Sequence, residues 1–151
     1  MPKDSKQEKR GLGLRVVLDT NVYASAFNFP HGKVAFIWEH ALKGTYTLLI
    51  SPAIVAELAN VLREKFKWPE GEITARAKRF ARMAEIITPK IVPNVIKDDP
   101  TDNHILACAR EGQADIIVSG DKHLRRIKAY KGIPIIRPAD FLHTLAGYPM
   151  K

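Results

Sequence analysis

Short runs of β-branched and aliphatic residues alternate with helical apolar spacing along the chain, and this alternation restricts the fold more than any other feature. Leu14 to Leu18, Tyr46 to Ile50 and Asp115 to Ser119 read as strands, as does Ile133 to Ile136. They carry the continuous apolar character of strands buried on both faces. Ile91 to Ile96 is a weaker strand candidate, interrupted by Pro93 and so suited to an edge or an irregular segment. Between the runs, Thr20 to Phe27 reads as the start of a helix and Lys33 to Lys43 as a helix closed by Gly44. Ser51-Pro52 opens a helix to about Phe66, with a basic helix over Glu70 to Ile86 beyond it. Asp99-Pro100 opens another to about Glu111, Leu124 to Ile127 forms a short turn, and Pro138 starts a last helix through Leu145. Strands alternating with helices predict an α/β fold, a mostly parallel sheet of about four to five strands with helices on both faces.

The chain has 151 residues, enough for one compact domain with one core. The expected division is a polar, disordered basic tail over 1–12 and a single domain over 13–147. No apolar run approaches the roughly 18–20 residues that span a bilayer. The start MPKDSKQEKR lacks the apolar centre of a signal peptide, so a cytoplasmic location is expected. Cys108 is the lone cysteine, which excludes an intrachain disulfide, and its apolar helical surroundings fit a core residue better than a nucleophile. The five histidines show no zinc-ligand spacing.

The net charge of +8 and the sequence pI of about 9.7 suit a polyanionic partner. Basic residues group at 63–67, 76–82 and 122–128. Solvated helix faces would carry the same clusters, so charge alone does not decide the matter.

Ligands of open parallel sheets bind beyond the carboxyl ends of the strands, which directs attention to the residues there. Asp19 follows the first strand, and Asp121 follows strand DIIVS after Gly120, a glycine suited to a close turn. Asp102 has Ile105, Leu106 and Ala109 as its i+3, i+4 and i+7 neighbours, which puts it on the core-facing side of its helix. Glu57 flanks the apolar stripe of its helix, beside Ile54 and Val61. Each acid has an ordinary role open to it: helix cap, dipole partner, exposed helix residue or turn residue. Together, four acids at one sheet end repel one another unless a cation neutralises them, and oxygen ligands suit Mg²⁺ or Mn²⁺ rather than zinc. Such a metal beside a basic surface fits hydrolysis of a phosphodiester. Asp99 reads as a helix cap rather than a ligand, and Asp115 lies at the opposite end of its strand.

The blocks Val17-Leu18-Asp19-Thr20-Asn21, Ser51-Pro52 with Val55-Ala56-Glu57-Leu58, and Asp99-Pro100-Thr101-Asp102-Asn103 resemble the PIN domain family in order and context. So do Ile117-Val118-Ser119-Gly120-Asp121-Lys122-His123-Leu124 and the closing Gly132 to Leu142. The resemblance spans about residues 14 to 145 and is nearest to the VapC-like toxins of toxin–antitoxin pairs. It implies a three-layer α/β/α sandwich and Mg²⁺- or Mn²⁺-dependent endoribonuclease activity on RNA. It also implies frequent homodimers and often a small antitoxin partner. Carried over, the metal-binding acids are Asp19, Glu57, Asp102 and Asp121, with Asn21 and Ser119 as supporting polar groups. Trp38, Phe36 and Phe66 are candidates for a self-complementary patch, although core burial is the commoner fate of such residues. Phosphatases of the haloacid dehalogenase type need a second Asp two residues after the first, where this chain has Asn21. Two alternatives stay open within the resemblance: an RNA-processing nuclease of the same family without an antitoxin, and a non-catalytic RNA-binding module of the same fold, against which the presence of all four acids argues.

Overall fold

The computed structural model describes residues 13–97 and 99–148, so the expected N-terminal tail and Asp98 lie outside the described residues. Strand β1 (Arg15–Leu18) forms the centre of the sheet, with Val16 and Val17 fully buried. It pairs in parallel with β2 (Thr47–Ile50) on one side and β4 (Ile116–Val118) on the other. Among the described residues the sheet has six strands, in the order β3-β2-β1-β4-β6-β5. The outer members are β3 (Glu85–Ile86), β5 (Ala129–Tyr130) and β6 (Ile133–Ile136). Only the β5–β6 pair is antiparallel.

Six strands replace the four to five expected, and both additions are two-residue strands too short for any periodicity to show. The basic helix α4 (Glu70–Met83) was expected to run to Ile86. Instead Ala84 is extended, and Glu85 and Ile86 pair with Leu49 and Ile50 of β2. β5 turns into β6 through Lys131 and Gly132, both at positive φ, 51° and 80°. Two successive residues of that kind form the hairpin turn whose twist matches the flanking strands. Lys-Gly is a weaker sequence signal for it than Asn-Gly. Residues 91–96 form no strand.

The remaining helices begin and end largely where capping chemistry puts them. Helix α1 is Thr20–Asn28, α2 is Ala35–Lys43 and α3 is Pro52–Glu64. The Ser51 side chain accepts from the Ile54 amide at the start of α3, and Pro52 takes the first turn. Gly44, at φ 78°, closes α2. Helices α5 (Asp102–Glu111), α6 (Lys122–Ile127) and α7 (Pro138–Leu145) complete the chain.

The helices flank the sheet in a three-layer α/β/α arrangement. α1 packs on α2 and α3, α3 on α4 and α2 on α7, while α5 lies against β1, β2 and β4. Tyr23, Phe27, Trp38 and Phe80 meet at ring separations of 5.0–6.4 Å, mostly edge to face, and Trp38 is part of this core rather than of an external patch. Phe36 is exposed. Cys108 is buried, and burial pushes its thiol up to about 12, as suits an inert core residue. No helix among the described residues is long and apolar enough to cross a membrane.

Candidate metal centre

The carboxyl ends of β1 and β4 meet at Asp19 and Ser119. The Asp19 amide donates to the carbonyl of Val118 (2.9 Å), which continues the strand pairing one residue past β1. Asp19 stands at the N-cap position of α1, but its side chain makes no capping hydrogen bond. Oδ2 instead accepts from the buried Ser119 hydroxyl at 2.7 Å. Ser119 Oγ in turn accepts from the Asp121 amide at 2.9 Å, so one hydroxyl orients both acids. Burial raises the pKa of Asp19. The Ser119 hydroxyl and the amides of Asn21 and Thr20 oppose that rise, and the Asp121 charge adds to it.

Asp121 caps α6: its Oδ1 accepts from the His123 amide at 2.7 Å. The same oxygen lies 3.4 Å from His123 Nδ1. Gly120 is not in the left-handed region, and a Cβ there would meet nothing nearer than Pro138 Cδ at 4.0 Å. The turn that aims Asp121 therefore does not depend on glycine, contrary to the sequence expectation.

Asp102 opens α5 from the other side and is 4% exposed. Its Oδ2 is buried and has no hydrogen-bond partner among the described residues. Burial is the main cause that pushes its pKa up to about 8, and the charges of Asp121, Asp19, Asp99 and Glu57 add to the rise. Every charge acting appreciably on this carboxyl is negative.

Asp99 has two roles. Its Oδ1 accepts from the amide and hydroxyl of Thr101, at 3.2 and 2.5 Å, which shapes the turn into α5. It also joins Asp102, Asp121 and His123 in a group whose ligand atoms lie within 4.8 Å of one another. Next to it, buried Asn103 accepts from the amides of Val95 and Ile96 and donates to the Ile96 carbonyl. One side chain thus supplies the pairing that residues 95–96 do not find in a sheet.

The four acids named from sequence do not occupy equal positions. Asp102 and Asp121 are in the tight group, and Asp19 is tied to Asp121 through Ser119. Glu57 stands at the margin, half-buried on α3. Burial raises its pKa and Asp99 adds to this, while His104 opposes it. Asn21 is exposed in the first turn of α1, whereas Ser119 holds the strand ends together. Sequence reasoning missed His123 and counted Asp99 only as a cap. The available signal was Asp-x-His at a helix start, where a capping acid folds the residue two places on back towards itself.

Four negative groups around a buried oxygen without a donor fit a hard divalent cation. His123 adds a nitrogen to the oxygen set, which suits Mn²⁺ as well as Mg²⁺.

The PIN domain family model matches residues 15–123. The uncharacterized protein MJ1680 of Methanocaldococcus jannaschii is 34% identical over 124 residues, which cover 79% of this chain and 77% of that protein. Among solved structures, PAE2754 from Pyrobaculum aerophilum superposes with a TM-score of 0.56 at 15% identity, over 91% of this chain and 93% of that one. VapBC2 from Rickettsia felis, bound to a DNA fragment from their promoter, gives 0.56 at 19% identity, over 82% of this chain and 98% of that one. At these identities the two superpositions establish likeness of fold.

Proposed function

Because the chain belongs to the PIN domain family and gathers its acids at one end of a parallel sheet, we propose that it is a Mg²⁺- or Mn²⁺-dependent endoribonuclease. The observation that carries this reading is the buried, partnerless Oδ2 of Asp102 among negative neighbours. Asp19, Asp102 and Asp121 would hold the cation, with Asp99 and His123 within reach and Glu57 at the margin. A divalent ion held there would supply Lewis acidity, lowering the pKa of water towards neutrality and stabilising the leaving oxygen of a phosphodiester.

The chain's own residues prepare that site. Ser119 fixes the Asp19 carboxylate by donating to Oδ2 and fixes Asp121 by accepting from its amide. The Asp121 cap on α6 keeps its other oxygen available for a ligand. Lys122, Arg125 and Arg126 lie exposed on α6, the helix that Asp121 begins, and would hold the phosphate backbone.

Within this reading the chain acts as the toxin of a toxin–antitoxin pair, partnered by a small antitoxin, working as a homodimer in the cytoplasm. The likeness in fold to VapBC2 and the family match support this finer assignment. The test is cleavage of a generic RNA with Mg²⁺ or Mn²⁺, with and without chelator, by the parent and Asp19→Asn. Cleavage by the parent alone, abolished by chelator, is expected. Equal cleavage by both proteins would remove the mechanism, and binding without cleavage would favour a non-catalytic RNA-binding module.

A further inference from the structure

The turn that opens α6 folds a ring nitrogen into the acid cluster. Asp121 Oδ1 accepts from the amide of His123, two residues on, at 2.7 Å, and this cap draws the start of α6 back over the carboxylate. The ring follows, so that Nδ1 lies 3.4 Å from Asp121 Oδ1. The His123 side chain is 24% exposed, which holds the ring against the cluster rather than out in solvent. One of its ligand atoms lies within 4.8 Å of one from each of Asp99, Asp102 and Asp121.

The acids in this group are unequally engaged. Asp99 Oδ1 accepts from Thr101, and Asp121 Oδ1 from the His123 amide. Asp102 Oδ2 is buried without a donor among the described residues, and a cation in the group would relieve it. An imidazole beside three carboxylates alters which cation the group prefers. Mg²⁺ gives up water reluctantly and takes oxygen ligands. First-row divalent ions, of which Mn²⁺ is the hardest, take imidazole nitrogen together with oxygen. His104 acts on Glu57 at the margin and stands outside the group.

We propose that His123 is a direct nitrogen ligand of the cation, and that it tilts the centre from Mg²⁺ towards Mn²⁺ and the other first-row divalent ions. The proposal rests on the metal-dependent reading above, which leaves the ion open, and names the residue that would choose it. An imidazole that only pairs with the Asp121 carboxylate would occupy the same place without touching the ion. The two roles differ in what the bound ion senses.

The experiment measures Mn²⁺ binding to the full chain, without RNA, in the parent, His123→Gln and His104→Gln. The electron paramagnetic resonance signal of free Mn²⁺ gives the Mn²⁺ affinity, and displacement by Mg²⁺ gives the Mg²⁺ affinity. Spin-echo modulation of the bound ion reports a directly coordinated nitrogen. The parent should show that nitrogen, His104→Gln should keep it, and His123→Gln should lose it. In His123→Gln the Mn²⁺ affinity should fall at least about tenfold, the least that loss of even a supporting group costs. The Mg²⁺ affinity should fall much less, so the ratio between the two ions drops. A parent without nitrogen coupling overturns the proposal whatever the variants do, as does a ratio that His123→Gln leaves unchanged. A parent that binds no Mn²⁺ overturns it together with the metal centre. Because RNA is absent, a protein that gives the expected result yet cleaves no RNA keeps His123 as a ligand and loses only the nuclease reading.

Discussion

At the amino end of the sheet, charges are matched. Arg15 donates through Nε and Nη2 to the Gly112 carbonyl at 3.0 and 2.8 Å and pairs with both carboxylate oxygens of Glu85. The Arg15 amide donates to Asp115 Oδ2 at 2.8 Å. At the carboxyl end, Asp19, Asp99, Asp102 and Asp121 face one another, and Asp102 Oδ2 has no donor among the described residues. The same six strands therefore end in a satisfied network on one side and an unsatisfied one on the other. A buried polar group without a partner costs stability, and at this end the group is a carboxyl ringed by negative charge, which a bound cation would relieve. On the proposed reading, the amino end holds the chain together and the carboxyl end binds the cation.

The sharpest way to break this contrast is Asp102→Asn. Cleavage should fall by at least about a hundredfold, since the change removes a group more central than the supporting residues whose loss costs 10–100-fold. Thermal stability in chelator should rise, because a neutral amide replaces a carboxyl surrounded by negative charge. Loss of activity together with loss of stability, seen by calorimetry, would place Asp102 among residues that only hold the fold.

The second prediction concerns pH. The metal-free folded protein keeps a proton on Asp102 up to about pH 8, while the unfolded chain releases it near pH 4. The folded state thus binds more protons across that window. Its stability in chelator falls as pH rises from about 4 to about 8 and then levels. A cation must displace the same proton, so Mn²⁺ affinity should weaken about tenfold for each pH unit below about 8. Isothermal titration at pH 6 and pH 8 reads this directly. Asp102→Asn should lose the slope.

Much of this contrast is legible in the sequence, and the limits have physical causes. Leu14 to Leu18 announced a central strand because both its faces are buried, and Asp19 follows because the strand ends there. Asp102 was separable from its neighbours by helical spacing alone. Glu85–Ile86 was not legible, because a two-residue strand is fixed by its partner across the sheet and the sequence reads on as helix. Nor was Asn103, whose amide stands in for a strand partner to residues 95–96. His123 enters the candidate metal group through a cap at Asp121, a contact without metal-ligand spacing. The unmatched Asp102 oxygen is a fact of burial in three dimensions, and no local pattern encodes it.

Ser119→Ala tests the link between the two strand ends. It removes the donor to Asp19 Oδ2 and the acceptor for the Asp121 amide without touching either carboxylate. Activity should fall roughly tenfold, at the lower end of what supporting groups contribute, with Mn²⁺ binding weakened in proportion. An unchanged Mn²⁺ affinity would separate Ser119 from the site and leave it a strand-end hydrogen bond only.

The smallest effect belongs to the amino end. Arg15→Ala should cost about 1–2 kcal/mol of stability, because two hydrogen bonds to the Gly112 carbonyl are lost and the Glu85 pair is partly exposed to solvent. Cleavage per folded molecule and Mn²⁺ affinity should not change, since Arg15 lies at the far end of β1 from Asp19. Denaturant melts followed beside cleavage rates in the same preparations separate the two quantities. If Arg15→Ala lowers Mn²⁺ affinity while the protein remains folded, the two ends are coupled through β1 and β4, and the division between a holding end and a binding end does not stand.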